Sequence, residues 1–525
     1  MSPVAEPAIA DIQDDSAMVA PRRSMSRGRR IAAWFTVDRW VLLGAFAVSR
    51  VAYGFAGVTF DASGIDYSSQ LLDQTLLQDR LVESVWYLHA QPPAYNFFVG
   101  AVLKLSPFSR ELSFHLAFLA LGLVMILVLH DLSRRLRLGR WTAVVVAILI
   151  AGAPTIVLFE NWLSYEYPVM VMLLVLVDLA ARYGEKGSPG VLVAAVSVAA
   201  LTTLTRSMMH PVWLLAVFLG LVLWRRPTRT GLALAVLPLL VVGLFIVKNQ
   251  VLFGNPQLSS WFGYNVRNVV IGPLTDEQKG ILAAEGFTPA TPADCTVKHP
   301  DVPAVADEFK RFQPDYGGDP ISNFNNECII VKFNAMQQDA FTVAKARPKW
   351  VARNVGGAVE IWATPSSLNP FVFQNRQKLG VPEEVYRRAV LLDTAWEPTI
   401  PIPNAWPVKI SAPDARHHVS LTMLLGTALV SVGAAAVAVR WRRRSGARLA
   451  LFIGGGTVAF AALAGTLFEY SENNRIRFVT EPLTLLLAVA IVAFGVRWVR
   501  HWRAGADGDE PAAIDDSDPQ VPSLF

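Results

Sequence analysis

The feature that most limits what this chain can become is the packaging of its apolar residues. They fall into blocks of roughly 18 to 22, the length an α-helix needs to cross a ~30 Å hydrocarbon core. A lipid-exposed backbone must satisfy its own hydrogen bonds, so such blocks read as membrane helices. Composition agrees: 53% of the 525 residues are hydrophobic, 17% are charged, and the mean hydropathy is +0.37. A soluble chain carries about 25% charge. Two cysteines exclude a disulfide-dense scaffold. The net charge of +5 comes largely from Arg beside apolar blocks, so no nucleic-acid partner is expected.

Ten spans are expected, at about 40–58, 112–131, 141–159, 166–182, 190–206, 211–224, 230–248, 419–440, 448–468 and 479–498. Lys and Arg concentrate on the cytoplasmic side of membrane proteins. With the N-terminus inside, Arg134, Arg135, Arg137, Arg140, Arg182, Lys186, Arg225, Arg226, Arg229, Arg440, Arg442, Arg443, Arg444 and Arg448 all fall in inside loops. Both termini are therefore expected in the cytoplasm, residues 1–36 and 501–525 as disordered tails. Residues 37–248 read as a seven-span module and 419–500 as three further spans. The outer loop 59–111 is polar, Pro-broken and aromatic, as short helices on the outer leaflet would be. Residues 249–418 read as a small extracytoplasmic α+β domain; Cys295 and Cys328 both fall there, and spacing leaves a disulfide and two free thiols equally open. The fold class expected is thus an all-α polytopic membrane protein with interfacial helices and that small domain.

Ionisable residues are costly within a bilayer, so their positions carry information. Few lie inside the spans: Arg50 near the middle of the first, Asp178 near the inner end of the fourth. The rest of the candidate chemistry gathers at outer span ends. Asp61 and Asp66 follow the first span, where a carboxylate suits a general base and equally suits a helix cap. His89, Gln91 and Tyr95 flank Pro92 and Pro93, residues that stop one helix and start the next. Glu160 and Glu166 bracket the loop between spans three and four. Arg206, His210, Lys248, Asn249, Arg475 and Arg477 sit at outer span ends, where the positive charges oppose the bias of their side. Each cation read singly is a snorkelling side chain. Read together they suit a phosphate, which Arg grips as a fork and Lys as a point charge.

Four stretches carry a resemblance to the GT-C superfamily of membrane glycosyltransferases, on its bacterial protein-O-mannosyltransferase-like and aminoarabinose-transferase-like branch. They are the acidic first outer loop (Asp61, Asp66), the run Pro92-Pro93 with Tyr95, Lys248-Asn249 with Phe253-Gly254 and Ser259 to Asn265, and Glu472 to Phe478 with Glu481-Pro482. The resemblance covers most of the membrane part and little of 249–418. Where many relatives have Asp-Glu, this chain has Asp66-Tyr67, which weakens a paired-acid metal site there and leaves a divalent metal cofactor open. The resemblance implies a polyprenyl-phosphate sugar donor and an envelope acceptor (glycan, lipid or protein) at the outer face of a bacterial plasma membrane. Asp66 would then be the base, with Asp61 in reserve. Arg206, Lys248, Arg475 and Arg477 would hold the lipid phosphate, and His89, Gln91, Tyr95, Glu160, Glu166, His210 and Asn249 would line the substrate pocket. A transporter or flippase of a lipid-linked precursor is the rival expectation. It calls for polar residues through the midplane and internal repeats, and the chain offers Arg50 and no repeat.

Overall fold

The computed structural model describes residues 36–67, 70–289, 325, 328–396, 418–440 and 445–506. Residues 1–35 and 507–525 of the expected tails, the Pro/Ala-rich stretch at 288–305 beyond residue 289, Cys295, Arg442 to Arg444 and the side chain of Asp66 lie outside them, whereas 501–506, expected as tail, continue the last helix. The described part is an all-α polytopic membrane protein. Its chain order begins α1 (Val37–Phe55), α2 (Gly64–Tyr67), α3 (Gln74–Asp79), α4 (Leu81–Trp86), α5 (Pro93–Leu105), α6 (Arg110–Arg135), α7 (Arg140–Ala151) and α8 (Pro154–Glu160). It continues with α9 (Glu166–Lys186), α10 (Pro189–Thr205), α11 (Pro211–Trp224), α12 (Arg229–Phe253), α13 (Phe262–Val270), α14 (Asp276–Ala284), α15 (Cys328–Ala346), α16 (Pro348–Ala363), α17 (Phe373–Leu379) and α18 (Val381–Ala389). The strands β1 (Asp393–Ala395) and β2 (His418–Ser420) pair antiparallel, Thr394 opposite Val419. Then come α19 (Leu421–Val439), α20 (Gly446–Leu467), α21 (Asn473–Phe478) and α22 (Glu481–Ala506).

Every expected span coincides with a helix. Six of the described helices, α6, α9, α12, α19, α20 and α22, are long and apolar enough to cross a membrane, and α7 with α8 makes a seventh if counted as one span. That third span is broken rather than continuous: Pro154 supplies no N–H, and the chain bends by 56° between the halves. Carbonyls at the break need other donors. Arg50 Nη1 donates to Ala151 O at 2.9 Å, and the Tyr53 hydroxyl donates to Gly152 O at 2.8 Å. The remaining edge of the Arg50 guanidinium clasps Glu160, Nε to Oε1 at 2.9 Å and Nη2 to Oε2 at 2.6 Å. The Tyr167 hydroxyl completes the carboxylate at 2.6 Å. Arg50 therefore ties α1, the break and α8 into one unit.

At the opposite, basic end, Asp178 accepts from Arg135 and Arg182, Arg182 also reaches Asp131, and Asp38 meets Arg140 and His130. These pairs join α1, α6, α7 and α9 at one level.

The α+β expectation for 249–418 needs adjusting in detail. Its described residues form helices and one short strand pair, and they lie directly on the membrane helices. Trp362 of α16 packs on α20 at Gly465, where an added Cβ would come within 2.8 Å of its ring. Val269, Ala358, Ile361 and Tyr470 form a shared apolar cluster. Asn375 accepts from Thr59 N and donates to Thr59 O, at 3.2 and 2.8 Å, joining α17 to the segment leaving α1. Cys328 is disulfide-bonded, so of the two alternatives left by spacing the bonded one holds.

Candidate functional site

The four short helices of the 59–111 loop begin the site. Asp61 N donates to Asn161 O at 2.8 Å and Leu163 N returns a bond to Asp61 O at 2.9 Å, a parallel bridge that lays the first outer loop against the second. The Asp61 carboxylate accepts from Ser63 N and Ser63 Oγ, holding the turn into α2. Asp66 lies on α2, one turn further on.

The second outer loop then delivers Ser164, Tyr165 and Glu166 to a charged cluster. Glu166 Oε1 meets Arg206 Nη1 at 3.2 Å and Arg475 Nε at 3.3 Å, and Arg475 Nη2 reaches Glu472 at 2.5 Å. Four elements meet there: the start of α9, the end of α10, α21, and the loop after α20. Aromatic rings frame the guanidiniums, Arg206 lying 4.8 Å from the Tyr165 ring and Arg475 5.3 Å from that of Phe371. Tyr95 of α5 packs edge-on to Tyr165 at 5.6 Å. Buried polar atoms are normally paired. Here the Tyr95 hydroxyl, Ser164 Oγ, Glu166 Oε2 and Thr203 Oγ1 have no hydrogen-bond partner.

The electrostatics follow from crowding. Burial and the neighbouring Glu472 raise Glu469 from 4.5 to about 8, despite Arg475 nearby. Burial, then the charges of Glu166 and Tyr165, push the Tyr95 phenol well above its usual range. Burial opposes the charge on Arg475, but Glu472 and Glu166 outweigh it and hold the guanidinium firmly protonated.

The other expected residues sit in separate settings. Lys248 is buried, and its ammonium donates to Trp86 O and Leu88 O, both at 2.8 Å. His89 is beside it in the same segment, its ring nitrogens 3.2 Å from Ser260 Oγ and 3.0 Å from Asn325 O. Asn249 donates to Gln257 O and leaves Oδ1 unpaired. Together they form a polar seam under residues 86–91, of which Gln91 is half-buried. Arg477 is held by Thr364 O, Ser366 Oγ and Glu481 at 3.0, 2.8 and 3.3 Å. Glu160 is fully buried in its clasp with Arg50, and His210 caps α11 by accepting from Val212 N at 3.2 Å. The structure thus unites Arg206, Arg475, Glu166 and Tyr95, groups Lys248 with His89 and Asn249, and leaves Glu160, Arg477 and His210 apart. Among the described residues no three His, Cys, Asp or Glu side chains are grouped as a metal would require.

Sequence reasoning overlooked Tyr165 and Glu469 as members of the cluster. A signal existed for Glu469: with Glu472 it places two acids beside two arginines in one short outer loop.

No family model matches the sequence, and no curated protein matches it. Among solved structures, the oligosaccharyltransferase AglB of Archaeoglobus fulgidus, in complex with an inhibitory peptide and a dolichol-phosphate, is 13% identical with a TM-score of 0.36 over 91% of this chain and 53% of that one. The apo oligosaccharyltransferase of the same organism gives 12% and 0.35 over 90% and 52%. ArnT from Cupriavidus metallidurans, bound to undecaprenyl phosphate, gives 13% and 0.30 over 89% and 80%. These neighbours are GT-C membrane glycosyltransferases. The chain spans about half the length of the oligosaccharyltransferases it matches.

Proposed function

We propose that this protein transfers a sugar from a polyprenyl-phosphate donor to an envelope acceptor on the side of the membrane opposite its basic loops. The observation that carries the reading is the meeting of Arg206 and Arg475 at Glu166, whose Oε2 is buried without a partner, as is the hydroxyl of Tyr95 packed on Tyr165. An arginine has five donors, so each guanidinium keeps N–H groups beyond those turned to carboxylates. Those groups would stabilise the leaving phosphate as charge develops on it; Lys248 and Arg477, expected to join them, are held instead by backbone carbonyls and by Ser366 and Glu481.

In the proposed step the acceptor oxygen attacks the anomeric carbon, the bond from that carbon to the phosphate oxygen breaks, and the acceptor proton passes to a carboxylate. Asp66 is the proposed base and Asp61 its reserve. Glu166 and Tyr95 are the proposed pocket residues nearest the guanidinium pair, with His89, Gln91 and Asn249 along the neighbouring seam; Glu160 and His210, expected there too, are taken up by Arg50 and by the cap of α11. A bacterial plasma membrane with both termini cytoplasmic is the proposed setting.

The test is transfer from radiolabelled decaprenyl- or undecaprenyl-phosphate sugars by the full chain in nanodiscs. Asp66→Asn should abolish transfer with the thermal transition unchanged, and Arg475→Gln should reduce it by at least about a hundredfold, as loss of one transition-state donor does. Undiminished turnover in both Asp66→Asn and Asp61→Asn removes the proposed base. Passage of intact lipid-linked sugar into proteoliposomes without transfer favours the transporter instead.

A further inference from the structure

Helix α18 buries an acid and exposes two valines. A helix on a water-facing domain buries an apolar stripe and exposes polar side chains. Here Glu383 is 4% exposed and Val381 is 71% exposed. Glu383 accepts from Ser367 and is gripped by Arg387, and the Tyr386 hydroxyl turns inward to Glu481 at 3.4 Å. The outward face carries Val381 and Val385, one turn apart, beside the exposed ion pair of Glu384 and Arg388, whose long side chains can snorkel to a membrane surface, and the chain continues outward with Val390, Leu392 and Trp396. Asp393, between the last two, is again turned inward to Arg387 and His418.

The surroundings identify what covers this face. The segment is fastened at both ends to membrane helices on the site side. Thr422, in the first turn of α19, donates through N to Leu391 O at 3.2 Å and through Oγ1 to Val390 O at 2.7 Å. Ser420, which caps α19, donates to Leu391 O at 2.8 Å. At the other end Asn375 and Lys378 bond Thr59, just past α1. The outer surfaces of those two helices expose Phe55, Leu421 and Leu425, so the apolar face of 381–396 continues the lipid-facing belt. Trp is favoured at the level of the headgroups.

We infer that residues 381–396 are an interfacial foot whose apolar face, led by Val381, Val385, Val390, Leu392 and Trp396, inserts into the leaflet on the site side. Its inward face reaches Ser367 and Glu481, neighbours of Ser366 and Arg477, so the foot sets the height of that polar network above the hydrocarbon. The proposal stands whatever reaction the protein performs.

The test is nitroxide accessibility in the full chain reconstituted in nanodiscs, with the native disulfide intact. Labels at Val381→Cys and Val385→Cys should collide more with oxygen than with a water-soluble nickel chelate, and a label at the exposed Glu277→Cys on α14 should show the reverse. Nickel access at 381 and 385 equal to that at 277 overturns the foot. Shielding from both reagents overturns it too, since a protein partner would then cover the face. Both positions are exposed, so the labels leave folding intact, and unaltered thermal transitions check this.

Discussion

The two buried charge systems differ in how closed they are. Arg50 and Glu160 clasp one another in a fork, with Tyr167 on the carboxylate and Ala151 O and Ser49 Oγ on the guanidinium. Removing one partner of such a pair leaves an unpaired buried charge, which costs about 3–5 kcal/mol, whereas replacing both by apolar groups is often neutral. Arg50→Leu should therefore unfold at much lower temperature than Arg50→Leu/Glu160→Leu, read by thermal denaturation in detergent. Glu469 offers a pH signature. Its carboxyl is raised in the folded protein, so its contribution is fully present below pH 4.5 and is lost as pH rises through about 8. Glu469→Gln, a fixed neutral side chain, should flatten the decline of Tm between those values; an unchanged slope would show that another group titrates there. Sequence made the charges legible but not their partners. Arg50 stood out because a guanidinium within a span is costly, while its acid lies 110 positions away and only packing brings it near.

At the level of helices, each expected span falls on helical residues, six or seven of the ten meeting the length and hydropathy of a crossing, and hydropathy missed the geometry inside one. A sliding apolar average passes through Gly152-Ala153-Pro154 unchanged, although the glycine and proline are the local punctuation that ends one helix and begins another. The break also explains a glycine across from it. A Cβ at Gly122 of α6 would lie 2.6 Å from Glu160 Oε2 and 2.8 Å from the Phe46 ring. Gly122→Ala should destabilise by about 1–3 kcal/mol, as overpacking does, and a denaturation midpoint equal to wild type would mean the clasp yields. The strand pair was not legible at all: three-residue strands separated by more than twenty residues leave no periodic trace.

For the molecule as a whole, the 249–418 stretch is better seen as a set of braces than as a separate body. Asn375 spans 316 positions to hold the Thr59 backbone. Losing it should raise hydrogen exchange in α17 and in residues 56–60 together; a rise in α17 alone would show that the first outer loop holds its place unaided. Sequence marked this stretch as polar and non-spanning, and among its described residues no helix is long and apolar enough to cross a membrane, but polarity says nothing of which surface a segment rests on.

One consequence concerns the bilayer itself. Helix α11 has 14 residues, about 21 Å at 1.5 Å per residue, against a hydrocarbon layer of ~30 Å. Val212, Leu215, Leu219 and Leu223 are exposed along it, so lipid rather than protein meets the shortfall. Hydrophobic mismatch of this sign pinches the membrane. Any thinning around α11 would fall beside Arg206, which precedes it by five residues. Under the proposed reaction, the donor's lipid tail would rest in that thinned region, and short-chain lipids would ease its approach to the guanidiniums.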